Sequence, residues 1–339
     1  MSKGKILVTG GCGYLGSHTI IDLLENGYEV VSVDNLSNAD ESALAGIAQI
    51  TGTAVHNHVI DLADHNLTLR LFQEEQFTGV IHFAALKHVG ESVHQPVRYY
   101  QNNLNSLLNV IEGMEATGCQ QLIFSSSCSV YGNSEELPVT EKTARQEAES
   151  PYARTKQKGE DILFEYCRVH PDFKAILLRY FNPAGAHPSV LLGEASSNPA
   201  SNLVPVITET AIGKRQEMTV FGSDYNTRDG SCIRDYIHIM DLARAHTQAL
   251  DCLLENRQAS NCEIFNLGTG AGVSVLEAIY AFEMISEQKL NYRLVDRRIG
   301  DVVSIYANYE KAEQELGWQP QYDIKDIMRT AWAWEKVRG

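Results

Sequence analysis

The stretch "SPYARTK", residues 150–156, sets Tyr152 and Lys156 four positions apart, just behind a proline. Proline is preorganised for the first turn of a helix, and residues i and i+4 then share one face. A phenol ordinarily titrates near ~10, and a neighbouring cation favours its ionised form. The pair therefore reads as a general base with its charge partner, although a solvated helix face carries the same residue types. Ser127 stands 25 positions upstream of Tyr152, in "FSSSCSVYG" (124–132). Three successive serines close an apolar run there, and a buried hydroxyl needs a partner. Ser127 fits a hydroxyl that bonds a substrate hydroxyl and tunes the nearby phenol; bonding to local backbone is the plainer reading. Near the start, "VTGGCGYLGSH" carries Gly10, Gly13 and Gly16. Glycines at that spacing let the backbone turn tightly and approach a pyrophosphate at a helix N-terminus. Asp34, 18 positions after Gly16, suits a ribose diol and would repel a 2′-phosphate, which favours NAD over NADP. Asp61 is expected near the adenine. The small residues of "HFAALK" (82–87) allow close approach to the cofactor, and Lys87 is within reach of a phosphate.

Elements must bring these residues together. Short apolar runs at 5–10, 29–35, 54–62, 79–85, 121–127, 175–182 and 262–269 read as strands, several rich in Val and Ile without clean alternation. Helix-like segments at 14–26, 97–117, 152–169 and 239–255 lie between them. Alternating strand and helix predicts an α/β fold, a Rossmann-like doubly wound parallel sheet. Right-handed crossovers then align the strand C-terminal ends, where the motifs fall, along one edge. From about residue 183 the rhythm breaks into Pro-, Gly-, Asn- and Ser-rich pieces. The expected organisation is an NAD-binding domain over 1–182, to which 236–289 returns. A smaller α/β substrate-binding lobe is expected from 183–235 and 290–339.

The 339 residues carry a net charge of −15, with 44% apolar and 21% charged residues. That charge argues against nucleic acid or an anionic membrane as main partner, while local cations can still hold an anionic ligand. No apolar run reaches the ~18 residues of a membrane span. The opening "MSKGKILVTGG" runs from two lysines straight into an apolar stretch and is not expected to be a secretory signal. Seven scattered cysteines with no C-x-x-C pair read as reduced thiols of a cytoplasmic protein, with no metal site.

Taken in order, T-G-x-x-G-x-x-G, the serine and Y-x-x-x-K resemble the extended short-chain dehydrogenase/reductase family. From about residue 5 to 335 the chain is similar, within that family, to the UDP-glucose 4-epimerases, also called UDP-galactose 4-epimerases. The segments carrying this include "DNLSN", "VIHFAALKHVGESV", "YYQNN", "LLRYFNPAGAHPS", "FGSDYNTRDGSCIRDYIHIMDLA", "NLGTGAGVSVLE" and "RRIGD". The resemblance implies tightly held NAD+, with Tyr152 moving a proton to and from the sugar's C4 oxygen, Lys156 lowering the phenol's pKa and Ser127 assisting. It implies that Gly10, Gly13, Tyr14, Leu15, Gly16, Asp34, Asn35 and Asn38 bind the cofactor. Asp61, Leu62, Phe83, Ala84, Lys87, Asn102 and Tyr180 complete that set with Tyr152 and Lys156. For a UDP-sugar it implies Lys87, Ser127, Phe181, Asn182, Asn202, Leu203 and Phe221, with Arg234 and Arg298 on the diphosphate, Asp301 on the ribose and Ile305 beside the sugar. A planar guanidinium suits phosphate oxygens, though a surface salt bridge is the commoner role of one arginine. The family's usual dimer implies a homodimer through the helices 97–117 and 152–169.

Two positions depart from the family pattern. Ile305 stands where a tyrosine excludes N-acetylated sugars and a small residue admits them, so UDP-N-acetylglucosamine 4-epimerisation is the alternative activity. Ala85 replaces a glycine. Nucleotide-sugar 4,6-dehydratases carry an acidic pair where this chain has Cys128 and Ser129, and a non-catalytic NAD sensor would have no need of the Tyr/Lys pair.

Overall fold

The computed structural model describes residues 2–195, 200–298 and 301–338; Ile299 and Gly300 of "RRIGD" lie outside the described residues. The strands are β1 (Lys5–Thr9), β2 (Glu29–Val33), β3 (His56–His58), β4 (Gly79–His82), β5 (Gln121–Ser127), β6 (Lys174–Tyr180), β7 (Asn182–Ala184), β8 (Met218–Phe221), β9 (Ile233–His238), β10 (Cys262–Leu267), β11 (Gly272–Ser274), β12 (Tyr292–Val295) and β13 (Ser304–Ile305). The helices are α1 (Tyr14–Glu25), α2 (Ser42–Thr51), α3 (His65–Glu74), α4 (Val89–His94), α5 (Pro96–Thr117), α6 (Pro151–Val169), α7 (Leu203–Ala211), α8 (Ile239–Leu254), α9 (Val275–Ser286) and α10 (Ile324–Arg338).

Seven strands form one parallel sheet in the order β10-β6-β5-β4-β1-β2-β3. Strand order reverses between β1 and β4, the place where an open α/β sheet opens a crevice for a ligand. One face is covered by α1, α2 and α8, through Ile20, Ile47 and Leu250 among others. The other is covered by α3, α5 and α6, through Phe72, Val110 and Leu163. Residues such as Ile6, Leu7, Val80 and Ile81 are fully buried, which explains strands apolar throughout.

Three sequence expectations change in the fold. The run 54–62 pairs only over His56–His58, because the chain turns at Asp61, whose Oδ1 accepts from Ala63 N at 2.9 Å. The run 175–182 is two strands: β6 ends at Tyr180, and β7 joins β9 in a second sheet with β11 and β13. Phe181 is thus the crossing between the two sheets. Finally, α9, expected in the segment that returns to the cofactor half, packs Ala278, Ile279 and Phe282 against Ile207 of α7 and Met328 and Trp332 of α10.

Candidate active site

The glycine turn comes first. Gly10 has φ +68, a conformation that side chains disfavour. A Cβ on Gly16 would meet Gly10 O at 2.2 Å, so the turn and α1 close on each other only without side chains. Gly13 begins α1 with no side-chain cap, leaving the first-turn N–H groups of Tyr14, Leu15 and Gly16 free for an anion. Asp34, just past β2, accepts from Cys12 N at 3.2 Å and Leu36 N at 2.9 Å, which aims its carboxylate back over the turn. The arrangement fits a dinucleotide: a pyrophosphate at the helix end and a carboxylate for the ribose.

The catalytic candidates lie at the end of the sheet. Ser150 caps α6, its side chain accepting from Ala153 N at 3.2 Å, and Pro151 takes the first helical position. Tyr152, Lys156 and Glu160 then follow one another at i, i+4 and i+8 along α6. Tyr152 is close enough to the Ser127 hydroxyl for that hydroxyl to lower its pKa, and the same oxygen accepts from Ser129 N at 3.2 Å as the chain turns out of β5. Lys156 is buried, with Nζ 5.9 Å from the centre of the Tyr152 ring and donating to Ser125 O at 2.6 Å.

The electrostatics differ from the sequence expectation. Burial pushes the Tyr152 phenol up to about 12, and the Ser127 hydroxyl is what pulls it down. Lys156 does not outweigh that desolvation, and its own pKa is drawn down to about 8 by burial, against the pull of Glu160. The protein surroundings therefore favour a neutral phenol held ready, more than a resting phenolate.

The opposite wall comes from the second sheet. Arg234 on β9 and Arg298 both approach Asp301: Arg298 donates to Asp301 Oδ1 at 2.6 and 3.2 Å, and Arg234 NH2 lies 3.7 Å from it. Ile305 on β13 pairs with Arg234 and is buried beside Val130 and Phe181. Between the walls is a cleft of about 660 Å³, a size suited to an organic ligand. On the cofactor side Gly10, Gly13, Tyr14, Leu15 and Gly16 line it, then Asp34, Asn35 and Asn38. Asp61, Leu62, Phe83, Ala84, Lys87 and Asn102 follow. Ser127, Tyr152, Lys156 and Tyr180 form its floor, and Phe181, Asn182, Asn202, Arg234, Arg298, Asp301 and Ile305 its far side.

Two expected substrate contacts stand outside the lining. Leu203 opens α7 and packs into the C-terminal apolar cluster, and Phe221, 40% exposed at the end of β8, lies under the Arg298 guanidinium at 5.4 Å. Sequence reasoning missed Glu194. Its Oε1 accepts from Asn202 Nδ2 at 3.0 Å and lies 3.7 Å from Lys87 Nζ, so one carboxylate joins two residues expected on the substrate. Nothing local in the sequence signals that contact. Glu160 was also passed over, although its position one turn beyond Lys156 was visible.

The model of the family described as GDP-mannose 4,6 dehydratase matches residues 7–331. UDP-glucose 4-epimerase 1 of Oryza sativa subsp. japonica is 46% identical over 332 residues, covering 97% of this chain and 94% of the relative. The structure of UDP-glucose-4-epimerase from Stenotrophomonas maltophila, with bound NAD and formylated UDP-arabinopyranose, gives a TM-score of 0.95 at 42% identity, covering 99% of this chain and 98% of that one. That of UDP-glucose 4-epimerase from Bifidobacterium longum, in complex with NAD+ and UDP, gives 0.94 at 42% identity over 98% of both chains.

Proposed function

Because the chain belongs to the UDP-glucose 4-epimerases and to the family described as GDP-mannose 4,6 dehydratase, we propose that Tyr152 is the acid–base residue in its NAD-dependent inversion of C4 of a UDP-hexose. One observation carries the assignment: Tyr152, Ser127 and Lys156 face the same cleft as the glycine turn on one side and Arg234 and Arg298 on the other. When bound, NAD supplies the nicotinamide that takes and returns hydride, and its cationic ring adds to Lys156 in favouring the phenolate. Tyr152 takes the proton of the C4 hydroxyl, with Ser127 bonding the same oxygen. Arg234 and Arg298 release Asp301 in part to grip the diphosphate. The hexose, held less firmly, turns as a 4-keto sugar about its link to the diphosphate and presents its other face, where Tyr152 returns the proton.

The test is incubation of the purified protein with UDP-galactose, without added NAD, followed by proton NMR of the anomeric signals. Conversion to UDP-glucose is expected; none, even after NAD is supplied, overturns the reading. Ile305 in the cleft wall favours a second activity, because its side chain is smaller than a tyrosine and leaves room beside the sugar. UDP-N-acetylgalactosamine in the same assay tests this, conversion marking an open gate and its failure a closed one.

The labour divides between an NAD-binding lobe built on the large sheet and a UDP-sugar lobe beyond Phe181. We assign a homodimer through α5 and α6, whose exposed Val97, Leu108 and Phe164 are apolar side chains without cover. The seven free cysteines suit a reducing, cytoplasmic setting. No helix among the described residues is long and apolar enough to cross a membrane.

A further inference from the structure

Behind the cleft, Glu160 is fully buried on α6, one turn past Lys156. Its Oε1 accepts from Ser126 Oγ at 2.6 Å and from Arg179 Nε at 2.8 Å; its Oε2 accepts from Arg179 NH2 at 2.6 Å. Arg145 reaches the same Oε2 at 3.4 Å from the surface side. Ser126 and Arg179 are register partners on β5 and β6, so one carboxylate clamps α6 onto two neighbouring strands. Those strands carry Ser125, Ser127 and Tyr180, and the Ser125 hydroxyl bonds the Tyr180 hydroxyl. Ser125 O is the acceptor of the Lys156 ammonium. We propose that Glu160 is a positioning residue: it keeps Lys156 charged and pins the Ser125–Ser127 end of β5 against α6. The inference rests on the roles given above to Tyr152 and Lys156.

The neighbours of Lys156 make the case specific. From α6 it faces Tyr152 and Glu160; from β5, the Ser125 carbonyl and, at 5.2 Å, the Phe124 ring. From β4 it faces His82, which burial holds neutral with a pKa down to about 3. Arg179 on β6 and Arg145 approach through Glu160. Burial drives Lys156 toward the neutral amine, and Glu160 is the charge that opposes it. A group held charged in this way loses its proton as pH rises through its pKa, so removing Glu160 moves that loss to lower pH.

The experiment compares pH profiles of kcat and KM for UDP-galactose in the holoenzyme, the Glu160→Gln variant and the Ser126→Ala variant. Glu160→Gln is expected to shift the alkaline limb of kcat down by about one pH unit and to lower kcat about tenfold near neutrality, with KM within about twofold. Ser126→Ala, which cuts one tether and keeps the charge, is expected to lower kcat less and leave the limb in place. A wild-type limb in Glu160→Gln overturns the proposal, since a merely structural role moves stability and not the limb. Removing one partner of a buried ion pair can unfold a protein. Should it do so, Arg179→Gln, in which Arg145 still faces the carboxylate, is compared with Glu160→Gln/Arg179→Gln, the two differing only in the carboxylate: a lower limb in the double variant supports the proposal and equal limbs overturn it. Inactivity of the wild type would instead strike the parent reading.

Discussion

At the scale of single residues, the site sets opposed pressures on two groups one helical turn apart. Burial disfavours the charged form of both, raising the Tyr152 phenol to about 12 and lowering Lys156 to about 8. Base strength at Tyr152 then depends on what shares the cleft with it. On the proposed mechanism Ser127 lowers the phenol's pKa and a bound cationic ring would add charge, so the base would be fully formed only in the loaded enzyme. Tyr152→Phe removes the oxygen proposed to transfer the proton and is expected to lower kcat by ~10²–10⁴, with the fold intact; steady-state turnover of UDP-galactose checks it. Gly16→Ala is expected to abolish cofactor retention, because its Cβ would sit 2.2 Å from Gly10 O. The absence of NAD+ from the supernatant of the denatured variant would verify this, and a full complement of NAD+ would contradict it.

At the scale of elements, α6 is the piece on which the site turns. Its start is set by Ser150 and Pro151, its inner stripe by Tyr152, Lys156 and Glu160, and its seat by Leu163 and Cys167 in the apolar layer. Replacing the cap, Ser150→Ala, frees the Ala153 N–H and is expected to cost about 1 kcal/mol. Thermal denaturation would register it as a lowered Tm, together with raised KM values as the first turn frays beneath Tyr152. The helix was legible from a proline and an i, i+4 pair. The break between β6 and β7 was not, because "AILLRYFN" is uniformly strand-like and only the pairing of β7 with β9 divides it. The short β3 was misread for a related reason: beyond His58 the chain leaves the sheet with Ile60 and Leu62 packed and Val59 exposed, and period alone does not separate that from a strand.

At the scale of the whole molecule, four histidines report how deeply the core is sealed. His18, His82, His238 and His246 are buried, with pKa values drawn down to about 3, 3, 4 and 4 by desolvation. In the unfolded chain each protonates near ~6.5. The unfolded state therefore binds more protons below that pH, and stability present above ~6.5 drains away as pH falls toward 4, by up to ~1.4 kcal/mol per pH unit for each residue. Calorimetry at pH 7 and pH 5 should find a lower Tm and proton uptake on unfolding at the lower pH; equal Tm values would show that these rings are not sealed. The proposed dimer belongs to this scale too. Leu108→Glu on the exposed face of α5 is expected to give a monomer by sedimentation velocity, where the unaltered chain is expected to sediment as a dimer.

The amino-acid sequence by itself carried the alternation of strand and helix in the first two-thirds of the chain, the glycine turn with Asp34 beyond it, and the proposal of Ser127, Tyr152 and Lys156 as one set. These are local: backbone conformations and spacings along one strand, one turn or one helix face dictate the residue types. The family resemblance extended that reading to Arg234, Arg298 and Ile305, which no local pattern singles out. Only the tertiary structure decided that the two arginines share Asp301, that Lys87 and Asn202 meet at Glu194, that Leu203 packs into the C-terminal apolar cluster and that Phe221 lies under the Arg298 guanidinium. It alone decided the direction of the pKa shifts and the clamp of Glu160 on β5 and β6. Those depend on desolvation and on contacts between residues far apart in the chain, and both arise when the layers close around the sheet.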